Sequence, residues 1–286
     1  DSFLIRQSEA VRAVADFLQA SENVTQAEFS RFSQRTLRTG IVKGLAWVPR
    51  VANGEREAFE VQVRKRGLPG FFIADPDSQG RFVPAARRAE YYPFMLVSLP
   101  LRSEPFPATG FDLGTEPHTL AALLRAADDG IPVISNREAF YDKDRLRQDD
   151  WRLFVPVYRA GFDPLTATGE GRRAALIGFA GGLVYLEELV GRLSDMAQEL
   201  NISVRLSLVT EDSSSLSLLD TRRAIHQGSG PGWRDSYSQP EVIGNGRFVI
   251  ESWMPVPWQP GQSLMMKLYL AGSLLAMLFA TVFETV

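Results

Sequence analysis

Residues 44–66 read GLAWVPRVANGEREAFEVQVRKR and predict a buried strand that leads into a helix. The segment 41–51 is apolar and β-like. Asn53-Gly54 begins the helix, and Gly67 is the kind of residue that ends one. This part of the chain therefore belongs to a mixed α and β unit.

Further strands and helices are predicted on both sides. Thr25 and Glu28 form a T-x-x-E capping box, which predicts a helix that ends near Gly40. Pro117 and Gly130 mark the start and the end of another helix. The remaining predictions are strands at 70–74, 81–83, 92–99, 133–135, 151–158, 175–183, 202–208 and 247–255, and a helix at 186–200.

Two polar segments predict loops. The segment 161–173 contains Gly, Thr and Pro, and it is the best candidate for an internal domain boundary. The segment 213–232 is rich in Gly and Ser and is also predicted as a loop. The sequence thus divides into a larger α/β part and a smaller one with antiparallel character.

Both ends of the chain predict helices. In the first 20 residues, heptad spacing is followed by Leu4, Val11, Val14 and Leu18. This spacing predicts a stalk helix that packs on a neighbour. An amphipathic helix that lies on its own domain fits the spacing equally well. Residues 264–283 read LMMKLYLAGSLLAMLFATVF, close to the ~20 apolar residues that cross a bilayer. The alternative for this segment is a buried amphipathic helix.

Composition and motifs restrict the function. The chain is 45% hydrophobic, carries a formal net charge of −3, and contains no cysteine. These values disfavour a disordered chain and a nucleic-acid binder, and they exclude disulfides and thiolate chemistry. The two histidines lack metal-ligand spacing, no common catalytic motif occurs, and the pairs Asp128-Asp129 and Asp149-Asp150 favour a solvated helix end and a loop. We therefore expect no enzyme, no metal and no cofactor in this chain.

A series of short motifs occurs in a family-specific order. After GLAWVPRV (44–51), it comprises Tyr91-Tyr92-Pro93, GFDL (110–113), LLRAADDG (123–130), FVPVY (154–158) and LIGF (176–179). Together they resemble the CHASE domain, the extracytoplasmic sensor of cytokinin-receptor histidine kinases and of many bacterial kinases and of adenylate and diguanylate cyclases. The resemblance extends over about residues 29–189.

The resemblance implies an α+β architecture with a long N-terminal stalk helix, tandem PAS-like units with antiparallel sheets, and a C-terminal transmembrane helix. It suggests stalk and connecting helices at 1–40, a membrane-distal ligand-binding unit at 41–172, a membrane-proximal unit at 173–260, and a membrane helix at 261–286. A first membrane helix would precede Asp1. The implied protein is a homodimeric bacterial receptor in the inner membrane, with its sensor in the periplasm and a histidine kinase or cyclase as output.

The resemblance also implies a ligand site in the distal unit. Asp112 matches a carboxylate that accepts hydrogen bonds from an adenine-type ring, and Ile134 matches a position whose backbone contacts the ring. The other predicted site residues are aromatic or apolar: Tyr92, Phe94, Leu96, Phe111 and Phe154. The alternative role for Asp112 is to cap the segment that follows it.

Two other functions stay open from the sequence. One is an envelope hydrolase anchored by a single helix, which would show a catalytic pair with shifted pKa values in the main cleft. The other is a structural dimerisation module without a ligand. The departures from the plant receptors around Asp112, together with Ser135-Asn136-Arg137, leave room for a small ligand other than cytokinin.

Overall fold

The chain forms two compact units in the computed structural model, which describes residues 3–21, 24–37, 42–99, 109–135, 150–200, 202–209, 215–221, 233–243 and 246–255. The first unit spans Ser8–Tyr185. The second takes the described residues from Leu186 onward, with those up to Gln7. The boundary predicted between 172 and 173 is wrong in this respect, because the strand that follows it is paired within the sheet of the first unit.

The first unit is an α+β domain built on a five-stranded antiparallel sheet. The sheet order is β6-β1-β9-β8-β7. Two short antiparallel pairs, β2 with β5 and β3 with β4, lie outside it. Its elements are α1 (Phe3–Ala20), which begins in the residues assigned to the second unit, α2 (Gln26–Leu37), β1 (Val42–Pro49), β2 (Val51–Ala52), α3 (Arg56–Lys65), β3 (Ala74–Pro76), β4 (Phe82–Pro84), β5 (Glu90–Tyr91), β6 (Leu96–Ser98), α4 (Pro117–Asp129), β7 (Val133–Ser135), β8 (Asp150–Tyr158), α5 (Gly169–Ala175) and β9 (Leu176–Tyr185).

One side of the five-stranded sheet, the α4 face, packs against helix α4. Here Ala46 of β1 lies opposite Gly181 of β9, and Gly181 lies opposite Phe154 of β8. Cross-strand partners project to the same side, so these three residues form one row. Phe154 and Leu123 of α4 belong to the same buried core.

The opposite side, the α1 face, carries the next residues along each strand. Leu45 and Leu153 each lie opposite Gly182, and a Cβ at Gly182 would lie only 2.5 Å from Cγ2 of Val11 in α1. Helix α1 therefore approaches this face at a point where only glycine leaves room. The bare backbone of Gly182 fixes how closely the helix packs.

Helix α1 is buried within the chain over part of its length. Val11 and Val14 are fully buried, and Phe17 stacks on Phe32 of α2 with 4.4 Å between ring centroids. This burial agrees with the alternative of an amphipathic helix lying on its own domain. The stalk stays a prediction, and the side chain of Leu4 lies outside the described residues.

Helix ends follow the local signals in the sequence. Thr25 and Glu28 form the predicted capping box, with Glu28 accepting from the backbone and hydroxyl of Thr25 and Thr25 accepting from the backbone of Glu28. Helix α4 has Pro117 at its start and ends at Gly130, whose φ of 71° is left-handed. The predicted capping box and the predicted ends of α4 are confirmed. Such ends can be predicted from sequence because capping depends on residues that are close together in the chain.

The second unit contains a four-stranded antiparallel sheet in the order β11-β10-β13-β12. Its elements are α6 (Leu186–Glu199), β10 (Ser203–Val209), β11 (Ser215–Asp220), β12 (Trp233–Ile243) and β13 (Gly246–Pro255). The loop predicted over 213–232 is wrong where β11 lies, since Leu216 and Leu219 pair with Leu208 and Leu206. Strand β12 had no prediction.

The fold class predicted from sequence, α+β with antiparallel sheets, is confirmed. No helix within the described ranges has both the length and the apolar character to cross a bilayer. The membrane helix predicted at 264–283, and the whole segment 261–286, lie outside the described residues.

Candidate ligand site

The segment from Gly110 to Leu113 crosses between two other stretches of the first unit. Its backbone hydrogen-bonds with Ala74 on one side and with Tyr92 and Phe94 on the other. Gly110 has a φ of 93°, and a Cβ there would lie 2.5 Å from the carbonyl oxygen of Phe72. Glycine is therefore required for the segment to lie this close to its neighbours.

Asp112, within this segment, is fully buried and bound by the chain itself. Its Oδ1 accepts from the backbone N–H of Tyr92 at 2.6 Å and of Gly114 at 2.9 Å, and its Oδ2 accepts from Arg88. The bond from Gly114 caps the short 3₁₀ turn that follows, which is the alternative role expected from sequence. Ligand binding by Asp112 stays a prediction.

Arg88 joins Asp112 to a second carboxylate. Its Nη1 donates to Asp112 and its Nη2 donates to Oδ2 of Asp75 at 2.6 Å. Burial raises the pKa of Asp112, while the backbone donors and the Arg88 charge act in the opposite direction. A ligand with N–H donors would therefore meet an Oδ2 that already accepts from Arg88.

Four of the predicted aromatic residues meet in one core. Tyr92, Phe111 and Phe154 are buried in it, and Phe94 packs against it while staying partly exposed. The ring of Tyr92 lies 5.9 Å from that of Phe179 between centroids. The structure therefore brings these predicted residues together above the α4 face.

Two predicted residues lie on the other side of the sheet. Leu96 pairs with Trp47, whereas its neighbour Val97 pairs with Ala46 of the α4 face. Because successive side chains of a strand alternate, the side chain of Leu96 projects to the α1 face, away from the predicted aromatic residues, and its part in a ligand site stays a prediction. Ile134 pairs with Leu153 on edge strand β7, so its side chain also belongs to the α1 face, and its predicted backbone contact stays a prediction.

The α4 face has small residues at its centre. Ala46 and Gly181 lie opposite each other, and a Cβ at Gly181 would be 3.5 Å from both Ala46 and the Phe154 ring. Val97 and Leu183, next to them on this face, are partly exposed. The buried Ala46 and Gly181, together with the partly exposed Val97 and Leu183, make up the apolar floor of the α4 face.

A buried charged pair lies beside this floor. Glu116 is 2% exposed, and its carboxylate accepts from Nη1 of Arg152 at 3.0 and 3.2 Å and from the hydroxyl of Thr119. Thr119 also hydrogen-bonds with Ser135 at 3.0 Å. Sequence reasoning missed this cluster, because an arginine in an apolar strand and a glutamate before a helix each resemble ordinary solvated residues.

Arg50, Glu90 and Tyr92 form a second cluster of charged and polar groups. Arg50 donates to Glu90 from Nε at 3.0 Å, and Glu90 also accepts from the hydroxyl of Tyr92 at 2.8 Å. The hydrogen bond from Arg50 lowers the pKa of Glu90. These contacts join β5 to the end of β1, which identifies a structural role.

The fold and the site define an α+β domain whose five-stranded sheet carries aromatic, small and charged side chains on one face. The family model described as "CHASE domain" matches residues 22–219. This covers more than half of the chain, so the chain belongs to the CHASE domain family. The family resemblance predicted from sequence is confirmed.

Part of a much longer curated protein is similar in sequence to this chain. It is "Hybrid signal transduction histidine kinase A" of Dictyostelium discoideum, which is 26% identical over 217 residues. The match covers 73% of this chain and 9% of that protein. This relationship and the family together identify a sensor domain for signal transduction.

Proposed function

We propose that this chain is the extracytoplasmic sensor of a bacterial transmembrane receptor and that its first unit binds a small molecule on the α4 face. The observation that carries the proposal is the buried Glu116–Arg152 pair beside the floor formed by Ala46 and Gly181. Ligand sites typically combine an apolar surface with a few precisely placed polar groups. A buried charge is costly unless it is paired, so the position of the Glu116–Arg152 pair next to the apolar floor favours a recognition site.

The signal would pass from the first unit to the second and then across the membrane. The apolar segment 264–283 supports a membrane anchor, although no described helix spans a membrane. The relative's name supports a histidine kinase output, and a cyclase output is the other one that the family resemblance implies. The two antiparallel sheets would be the tandem PAS-like units, and a homodimer is the proposed assembly.

The mechanism is a population shift. A ligand that binds one arrangement of the first unit more tightly than another moves the equilibrium by that difference in affinity. A ligand on the α4 face would contact strands β1, β8 and β9. Strand β9 ends at Tyr185, where the second unit begins, so the sensing sheet is continuous with the connection to that unit.

Filling the floor tests the proposed site. Gly181→Leu adds a side chain above Ala46 and should abolish the rise in melting temperature produced by a bound ligand. Gly181→Ala, whose Cβ fits at ordinary contact distance, should weaken it less. The screen uses adenine, N6-substituted adenines, amino acids and short carboxylic acids as probes.

Gly54→Leu is the matched control, because it makes the same change at an exposed residue with no atom within 4 Å of the added Cβ. It should leave ligand stabilisation unchanged. A ligand that stabilises Gly181→Leu as much as the unaltered chain would place its binding site elsewhere and contradict the proposal.

A further inference from the structure

We infer that Arg152 anchors a carboxylate of the ligand, so that the sensed molecule is a small apolar carboxylic acid. This inference rests on the proposed function, because it names the ligand class of the same face. It is carried by the geometry of Arg152, by its comparison with Arg88, and by the surface beside it.

Arg152 is largely buried, and only part of its guanidinium is hydrogen-bonded to described residues. Its side chain is 12% exposed, and its side-chain hydrogen bonds with described residues all run from Nη1 to Glu116. Within the described part of the chain, Nε and Nη2 contact no acceptor. These two groups form the edge of a guanidinium that binds a carboxylate with two parallel hydrogen bonds.

Glu116 acts as a positioning residue for Arg152. Thr119 donates to the Glu116 carboxylate and hydrogen-bonds in turn with Ser135, which lies opposite Arg152 on the neighbouring strand. The acceptor is thus held by α4 and β7 before any ligand arrives. A donor edge that is oriented in advance binds with a smaller loss of side-chain entropy.

The same unit already contains a guanidinium between two carboxylates. Arg88 donates from Nη1 to Asp112 and from Nη2 to Asp75, and its side chain is about one quarter exposed. Arg152 is more deeply buried, yet it meets one carboxylate among the described residues. A carboxylate supplied by a ligand would place Arg152 between two carboxylates. Arg88 already has this arrangement, with both carboxylates supplied by the protein.

The surroundings of Arg152 fit an apolar body. On β8, Arg152 and Phe154 share the α4 face, and Leu183 lies opposite Arg152 on β9. Residues two apart on a strand are separated by about 7 Å, roughly the length of a small aromatic or branched aliphatic acid. Such a ligand would cover Gly181 with its apolar part while its carboxylate reaches Arg152.

The test compares acids with their neutral analogues. Phenylacetate and 4-methylpentanoate are titrated into the whole chain by calorimetry, alongside their primary amides and adenine. At least one acid should bind, and its amide should bind about 10- to 100-fold more weakly, which is the ratio expected for a charge-assisted contact. Equal binding of acid and amide would overturn the inference.

Variants assign the effect to Arg152. Arg152→Gln should lose the preference for acid over amide, and Arg152→Lys, which keeps the charge but not the paired edge, should retain part of it. Arg87→Gln, at an exposed arginine, is the matched control and should retain all of it. If Arg152→Gln and Arg152→Lys keep the full preference, Arg152 is not the anchor.

Failure of this inference differs from failure of the proposed function. If adenine or an amide binds at least as tightly as every acid, and Gly181→Leu abolishes that binding, the α4 face is the ligand site but the carboxylate anchor is refuted. If no probe binds, or if Gly181→Leu binds every probe normally, both proposals are contradicted.

Discussion

Neutralising Asp112 without changing its shape should strongly destabilise the first unit. In Asp112→Asn, Oδ1 can still accept from Tyr92 and Gly114, but an amide N–H₂ can take the place of Oδ2 and face the Arg88 guanidinium. Breaking a buried ion pair costs about 3–5 kcal/mol. Because Asp75 still pairs with Arg88, we expect the lower end, about 3 kcal/mol.

The assay is urea unfolding of the variant and the unaltered chain, supported by thermal melts. For a unit of this size, each kcal/mol corresponds to about 2–4 °C, so the melting temperature should fall by about 6–12 °C. A double-mutant cycle with Arg88→Gln should show a coupling free energy between 0.5 and 3 kcal/mol, on the order of other contacting pairs.

The control is Asp129→Asn, which makes the same change in an exposed i,i+4 pair with Arg125 at 3.2 Å. Exposed pairs of this kind contribute about 0.5 kcal/mol or less. If Asp112→Asn costs no more than this control, the ion pair between Arg88 and the Asp112 carboxylate does not stabilise the fold, and the reasoning is refuted.

Two further predictions concern stability. The pKa of Glu90 is lowered, so its ion pair with Arg50 stabilises the fold above the ordinary glutamate pKa of 4.5 and this stabilisation is lost as the pH falls through the lowered pKa. In urea unfolding between about pH 5 and 3, Glu90→Gln should therefore lose less stability than the unaltered chain. Equal losses of stability would refute the contribution of the ion pair. Gly110→Ala should destabilise the fold more than Gly67→Ala, because both glycines have positive φ but only Gly110 has an oxygen 2.5 Å from the added Cβ. The control Gly67→Ala should cost about 1–3 kcal/mol from backbone strain alone. Similar losses of stability for the two variants in chemical denaturation would exclude the clash at Gly110.

Much of the fold could be predicted where the signals are local. Pro117 and Gly130 predict α4, and the apolar runs predict β7 and β8 within one residue. Strand β12 was missed because it is a polar edge strand that tolerates Pro240, and edge strands need no apolar run. The boundary was misplaced because the polar loop after β8 lies inside the first unit.

The site was predicted only in part. The resemblance to the CHASE family pointed to Asp112 and to the aromatic residues that the structure gathers around Tyr92. It could not indicate the Glu116–Arg152 pair, whose members are 36 positions apart along the chain. Nothing within a short window distinguishes such a pair from two solvated charges.

The sequence by itself determined the α+β class, the family and most helix ends, because these depend on composition, ordered motifs and neighbouring residues. The tertiary structure decided which side chains share a face: it separated Leu96 from Val97 and gave Asp112 its partner Arg88. Cross-strand register and burial depend on contacts between distant parts of the chain. Only those contacts show that Arg152 is buried and that, among the described residues, its hydrogen bonds run from Nη1 to Glu116.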